Sequence, residues 1–523
     1  MEPEYFNFDE YKIRLAKLNK FAELGVEPYP HSYNPTTTVE DLVKNPPEAL
    51  DFETAKQTSD HAVRIAGRVM LSRPMGTNIF VQLQEGNERI QVLFNRGVVK
   101  VKGLLEDQEV TAHKFLEKWV DLGDFLGIEG QVFRTQKGEL TIFAKEVTFL
   151  SKSLLPLPDK YSGLKNKEIR YRKRWLDLIA NPEVFEIFRM RSKIFALIRE
   201  YFTLHKFLEV ETPVLSSVYG GANARPFTTH LNALKQDMYL RIALELPLKE
   251  LIIGGFQRVY EMGRLFRNEG IDATHNPEFS MVEAYAAYWD YNDVMKFTEE
   301  LYAYVAKGIY GTTKIGVRKD RKGNEHEVDV QTPWIRLTMK ESIKKYAGYD
   351  VDALSDDEMR KILLEKADVD PAKIKKAKRG ILVATFFEEF VEHHLIQPHH
   401  ITDHPIETTP LCKYHRSPSE KAQGIVERFE SFFLGMEITN AYSELNDPLI
   451  QRSLLEEQER LLLAGDEEAN PIDEDFLEAM NQGMPPTGGV GIGLDRLVMI
   501  ITGATSIRDV LFFPLMKPEH SAE

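Results

Sequence analysis

Residues 263–285 read as two β-strands joined by a polar loop, and their alternation fixes which side chains can meet. In the first strand Leu265, Arg267 and Glu269 share a face, because side chains alternate along a strand. In the second, Phe279, Met281, Glu283 and Tyr285 share a face. An arginine fork suits phosphate, a phenylalanine face suits a purine ring, and a Glu-Tyr pair suits an ammonium group. The segment predicts a sheet whose exposed face binds a nucleoside triphosphate beside a small cation. A lone Phe-Arg-x-Glu would be better read as a solvated hairpin. Two further motifs, described below, decide against that.

The rest of the chain must supply more than one core. At 523 residues it calls for two or three domains. Hydrophobic residues at 43% and charged residues at 28% fit a soluble globular protein and exclude a disordered one. No apolar run reaches membrane-spanning length, and no basic-then-apolar leader opens the sequence. The acidic start leads to the expectation of a cytoplasmic protein. Cys412 is the single cysteine, so an intrachain disulfide and a cysteine zinc cluster are excluded. A net charge of −15 argues mildly against non-specific nucleic-acid binding, although a local basic surface can still dominate an interface.

Residues 9–24 carry Tyr11, Leu15, Leu18, Phe21 and Leu24 at helical spacing, with Gly25 and Pro28 as stops. After a polar stretch to about residue 60 come five strand-like segments: 63–70, 79–84, 90–94, 125–133 and 140–150. A turn at 85–88 joins the second and third, and a helical stretch, 113–119, separates the third from the fourth. That order matches a small OB-type barrel. Residues 154–159 read as a semi-rigid, proline-containing linker. Beyond them long helices alternate with strands, and 350–378 reads as charged surface helices.

Two other stretches carry chemistry. Residues 207–213, ending in Pro213, follow a long helix over 183–205. The glycine string of 488–493 runs through Leu494 and Asp495 to Arg496 and an apolar helix. The string fails the dinucleotide pattern G-x-G-x-x-G in every frame. No Walker A sequence is present.

Together, residues 183–213, 258–285 and 488–502 resemble motifs 1, 2 and 3 of the class II aminoacyl-tRNA synthetases, in the form carried by the bacterial-type lysine enzymes. The resemblance covers nearly the whole chain. It implies an α+β protein: an N-terminal OB-type β-barrel plus a catalytic domain built on an antiparallel sheet with flanking helices. The implied domains are 1–60 (helix and lead-in), 61–153 (anticodon binding), 154–170 (linker) and 171–523 (catalysis). The implied activity is ATP-dependent attachment of L-lysine to the 3′ end of its tRNA, with Mg2+, by a homodimer.

The resemblance also implies roles. Arg267 and Arg496 are the catalytic arginines, and Glu269, His275, Phe279 and Glu430 join them in binding ATP. Gly220, Gly221, Glu245, Glu283, Tyr285, Asn440, Tyr442 and Glu444 bind lysine. Three buried carboxylates around one ligand demand a cationic partner, which lysine supplies. Tyr442 stands where the family often has phenylalanine. Glu430 and Glu437 are the magnesium ligands; Glu437 has the wrong strand parity relative to Asn440, so a bulge or a helix-to-strand change is expected between them. Arg73, Phe80 and Gln91, and more weakly Glu139, are implied anticodon contacts. The histidines from His393 to His415 match no zinc spacing, and no metal is expected there.

Three other readings compete. An aspartate or asparagine synthetase shares the motifs, but an aspartate pocket needs a cation where this chain offers Glu283 and Glu444. A paralogue that lysylates protein usually lacks the anticodon domain. A non-catalytic RNA-binding module would not need Arg267, Glu269, Phe279 and Arg496.

Overall fold

The computed structural model describes residues 3–58, 62–107, 109–158 and 164–518. Residues 159–163 of the expected linker, and 59–61 at the expected start of the barrel domain, lie outside them. Among the described residues no helix is long and apolar enough to cross a membrane. The chain divides into two compact units, Met1–Glu186 and Ile187–Glu523.

The first unit is built on a six-stranded barrel: β1 (Val63–Met75), β2 (Asn78–Glu85), β3 (Glu88–Asn95), β4 (Lys100–Val101), β5 (Phe125–Arg134) and β6 (Leu140–Ser151). The five long strands are those expected from sequence, and β4 is a two-residue addition. Antiparallel β1–β2, β2–β3, β1–β5 and β5–β6 pairs are closed by parallel β3–β6. Ile79, Val81, Leu83, Ile90, Val92 and Phe94 fill the inside. The helix Ala112–Lys118 lies between β4 and β5, capped by the Thr111 hydroxyl, which accepts from the Lys114 N–H. The N-terminal helix is shorter than its apolar spacing suggests: it runs Asp9–Asn19, and turns carry the chain on to Gly25 at φ +77°.

The second unit carries a short strand β7 (Leu208–Glu209) and a small sheet of β8 (Leu215–Ser216), β9 (Thr228–Leu231) and β10 (Gln236–Leu240). Next come the central hairpin, β11 (Arg258–Phe266) and β12 (Glu278–Ala287), and a separate hairpin, β13 (Lys314–Lys319) and β14 (Glu325–Asp329). Then follow β15 (Ile335–Thr338), β16 (His399–Pro405), β17 (Ile425–Phe433), β18 (Met436–Ser443) and β19 (Thr487–Gly493). The main sheet has the order β15-β16-β17-β18-β19-β12-β11-β7. Its interior pairs are antiparallel, and only the outermost pairs at the two edges are parallel.

Alternation sorts this sheet into two faces. Val282, Ala284 and Ala286 of β12, Ala441 of β18, and Val490 and Ile492 of β19 all enter one core. The helices Pro182–Leu204, Tyr291–Tyr310 and Leu494–Thr502 supply Ile198 and Phe202, Phe297 and Leu301, and Leu497 and Ile501 to it. A capping box between Asp290 and Asp293 starts the second of these helices. The other face of the sheet is left for side chains that do not belong in a core.

Three histidines of the tract are held in packing and hydrogen bonds within the protein. His400 stacks on Trp334 and bonds Ser431, His399 bonds Tyr346, and His404 bonds the Ile401 carbonyl. Residues 350–378 form the helices Asp356–Lys366 and Pro371–Lys376, whose Met359, Leu363 and Ile374 join a separate small core.

Candidate active site

Two cavities open on the polar face of the main sheet. They share Arg267, Met281, Glu437, Asn440 and Gly491 in their walls. The first, about 220 Å³, is lined by Glu269, His275, Phe279 and Arg496. The second, about 290 Å³, is lined by Gly221, Glu245, Glu283, Tyr285, Glu430, Tyr442 and Glu444. Every site residue expected in the second unit lines one of them except Gly220, which packs against Leu246 behind the wall: a Cβ there would lie 2.9 Å from Leu246 Cδ1.

The expected parity holds on β12 and fails at the end of β11. Phe279, Met281, Glu283 and Tyr285 do face the cavities. β11, however, ends at Phe266, and Leu265 is buried in a small core with Val259 and Tyr285. The Arg267 N–H still donates to the Pro277 carbonyl, but Glu269 folds back so that its N–H meets the Arg267 carbonyl. Glu269 therefore reaches the cavity from the loop and not from a strand.

The parity conflict at Glu437 is resolved by a bulge. Ser431 pairs with Thr439 and Phe432 with Glu437, leaving Ile438 as the extra residue on β18. Ile438 turns into the core, and Glu437 and Asn440 both face the site.

The glycine string is a strand, β19, and its gaps are occupied by neighbouring side chains. A Cβ on Gly489 would lie 2.0 Å from Glu444 Oε1 and 2.6 Å from the Tyr285 ring. One on Gly491 would lie 2.4 Å from Met281 Cε. Glycine is required here to make room for the residues that form the cavity.

On the first cavity's side, the Arg267 guanidinium lies 5.2 Å from the Phe279 ring centroid, within cation–π range. Arg496, in the first turn of the helix Leu494–Thr502, donates to the Glu437 carbonyl at 2.6 Å. Its other nitrogen sits 3.0 Å from His275 Nε2. Asp272 accepts at 2.8 Å from His275 Nδ1, so Nε2 is the acceptor toward Arg496. Hydrogen bonds from the Thr274 backbone and the His275 ring outweigh the cost of burial and hold the Asp272 carboxyl down at about 2.

The second cavity is a network of buried charge. Glu283 accepts from the Leu244 N–H at 3.1 Å and from the Tyr285 hydroxyl at 3.3 Å. Burial, with the Glu245 charge added, raises its carboxyl to about 7 against the opposing pull of Leu244 and Arg267. Glu245 accepts from the Tyr442 hydroxyl at 2.6 Å, which gives that hydroxyl a partner sequence reading could not name. Glu444 is 1% exposed, and its Oε1 has no hydrogen-bond partner in the protein. An orphaned buried carboxylate oxygen on a cavity wall calls for a donor from a ligand.

Sequence reasoning missed three residues here. Lys249, fully buried, bridges Glu245 at 2.5 Å and Glu444. Arg428 donates to Glu430 at 2.5 Å and to Asn440 Oδ1 at 3.1 Å, holding residues of both cavities at once. Asp495 accepts from the Ser280 N–H at 2.7 Å and pairs with Arg191 at 2.7 Å. It thereby ties all three motifs together.

In the first unit, Arg73 lies directly opposite Phe80, and Gln91 pairs with Gln82. Alternation puts Arg73, Phe80 and Gln91 on the outer face of the barrel, away from Ile79 and Val81. Phe80 leans on Leu93 and is only partly buried, Arg73 is exposed, and Gln91 accepts from the Thr141 hydroxyl at 3.0 Å. Glu139 is exposed just before β6.

Comparison with known proteins agrees with this layout. Residues 166–517 match the family described as tRNA synthetases class II (D, K and N), and residues 63–150 match an OB-fold nucleic acid binding domain. The chain is 53% identical over 517 residues to a lysine–tRNA ligase of Chlamydia pneumoniae, covering 98% of each. It is 47% identical to that of Methanoculleus marisnigri, over 98% of this chain and 95% of the relative. With that of Nostoc punctiforme the figures are 45%, 97% and 88%. With motifs, cavities and relatives in agreement along almost its full length, the chain belongs to the class II tRNA synthetases, in the lysine–tRNA ligase family.

Proposed function

We propose that this enzyme attaches L-lysine to the 3′ end of its tRNA in two steps at the paired cavities. The lysine carboxylate attacks the α-phosphorus of ATP, pyrophosphate leaves, and lysyl-adenylate remains. The terminal ribose hydroxyl of the tRNA then attacks the adenylate carbonyl, and AMP leaves. The single observation that carries this reading is the second cavity: Glu283, Tyr285 and the unpartnered Glu444 oxygen surround a space that opens directly onto Arg267.

The ε-ammonium fits among Glu283, Tyr285 and Glu444, and the α-ammonium against Glu245 and the backbone at Gly221. Asn440 and Tyr442 flank the stem. Both oxygens of Glu245 already have partners in Lys249 and Tyr442, but a carboxylate has about four acceptor sites and can take one more donor. Arg267 at the junction serves the substrate carboxylate and the α-phosphate together. Phe279 and Arg496 flank the adenine, Glu269 accepts from its amino group, and His275 with Arg496 meets the outer phosphates. The carboxylate is already a nucleophile, so the first step requires no general base. Positioning and charge stabilisation do the work.

The donor set near Glu430 and Glu437 suits a hard divalent cation. Burial, with the charges of these two residues added, raises the Glu388 and Glu392 carboxyls to about 7 and about 8, so carboxylates outnumber cations on this side of the site. Glu430 and Glu437 would hold Mg2+, which when bound neutralises charge building on the phosphates.

The outer barrel face with Arg73, Phe80 and Gln91 suits an unstacked anticodon base, with Glu139 at its margin. We place the domain boundary within 154–170, between the two matched families, with residues 1–60 leading into the barrel. Exposed Leu204, Leu208, Val214 and Leu215 around motif 1 support a homodimer, and the family's place in translation supports a cytoplasmic location. Charging of tRNA with radiolabelled lysine, aspartate or asparagine tests the whole reading. Lysine alone should become acid-precipitable, and charging with aspartate would overturn it.

A further inference from the structure

Lys249 lines neither cavity. It stands behind the second one, on the helix Glu245–Ile253, with its ammonium against Glu245 of the same helix and Glu444, the residue after β18. The Tyr442 ring lies 5.5 Å away. An isolated ammonium this deep is strongly disfavoured, yet one held between two carboxylates persists.

We infer that Lys249 is a positioning and specificity-determining residue that sets the charge of the amino-acid cavity. Three carboxylates, Glu245, Glu283 and Glu444, face one internal ammonium. With all three ionised, as binding of two ammonium groups requires, two negative charges are left, which matches the two ammonium groups of lysine. The inference rests on reading this cavity as the lysine site. The other groups facing it do not alter the balance. Tyr285, Tyr442 and Cys412 are neutral, each pushed up by burial. Arg428 is paired with Glu430, Glu437 is paired with Arg496, and Arg267 stands at the junction for the substrate carboxylate. Burial raises the Glu444 carboxyl well above its ordinary range, the Lys249 ammonium is the largest force opposing this, and the Glu245 charge adds to the rise. Without Lys249 the cavity should take up a proton that lysine must then expel.

The test uses the full-length enzyme and L-lysine. Calorimetry in buffers of different ionisation heat counts protons released on binding. Lys249→Met should release about one proton more than wild type near pH 7. An equal count in both overturns the inference. Because Lys249→Met alone can fail to fold, a compensation experiment stands beside it. Glu444→Gln leaves the cavity one negative charge short and should lower kcat/KM for lysine roughly 100-fold. Adding Lys249→Met restores the balance and should recover about tenfold. A double variant as poor as Glu444→Gln, or poorer, means that Lys249 only supports the fold and overturns the inference. If wild type itself does not use lysine, the proposed function has failed rather than the role of Lys249.

Discussion

The two cavities that meet at Arg267 are built in different ways. The amino-acid cavity is wired by the protein's own groups: Lys249 joins Glu245 to Glu444, Tyr442 bonds Glu245, and Tyr285 bonds Glu283. Its charged groups are buried, and their partners lie on the helix Glu245–Ile253 and on strands of the main sheet. The nucleotide cavity depends on residues set in looser surroundings. Glu269 and His275 are exposed on the loop between β11 and β12, and Phe279 and Arg496 are only partly buried. A small cation offers little surface, so its recognition must come from charges fixed in advance. A nucleotide offers a ring and a chain of phosphates, and a loop can gather around them.

Breaking the junction should cost most. Arg267→Ala removes a donor to both substrates and should cut pyrophosphate exchange by at least about 1,000-fold, the upper range for a single transition-state donor. Circular dichroism should show the fold retained. Glu283→Gln tests the wired side alone. It should lower kcat/KM for lysine about 100-fold, the scale of a buried charge partner removed, with the KM for ATP nearly unchanged.

The pH dependence sharpens the contrast. The Glu283 carboxyl, at about 7, must be ionised to hold an ammonium, and below that pH it is protonated and the attraction is lost. The KM for lysine should rise about tenfold for each pH unit below 7, as for one proton competing with the ligand. The KM for ATP should show no such break, and Glu283→Gln should abolish the break for lysine. The smallest effect belongs to the looser side. Phe279→Leu keeps an apolar wall but loses the ring, and should raise the KM for ATP about 2- to 10-fold, as for one aromatic contact. A similar rise in the KM for lysine would contradict the division.

Much of this was legible because strand alternation is rigid. The face of β12 followed from spacing alone, and the parity clash at Glu437 demanded the bulge that Ile438 provides. Glu269 was misassigned to a strand because alternation says nothing about where pairing stops. Lys249 was hidden for a different reason. A Glu and a Lys four residues apart normally form an exposed helical pair. The one available signal was the flanking Leu244, Leu246, Leu248 and Ile252, which leaves the helix little face to turn toward water. The reason for the glycine string was not legible. Its partners Glu444, Tyr285 and Met281 come from distant strands, and only the fold brings them there.

The central claim is that this cavity selects its amino acid by charge more than by shape. Pyrophosphate exchange without tRNA tests it directly, with L-lysine, L-ornithine and L-norleucine supplied separately. Ornithine keeps both ammonium groups and loses one methylene, and should fall behind lysine by only about 10- to 200-fold in kcat/KM. Norleucine keeps the stem and loses the ε-ammonium, leaving Glu283 and Glu444 unpaired, and should fall behind by about 10,000-fold or more. Norleucine exchanging as well as ornithine would contradict the account.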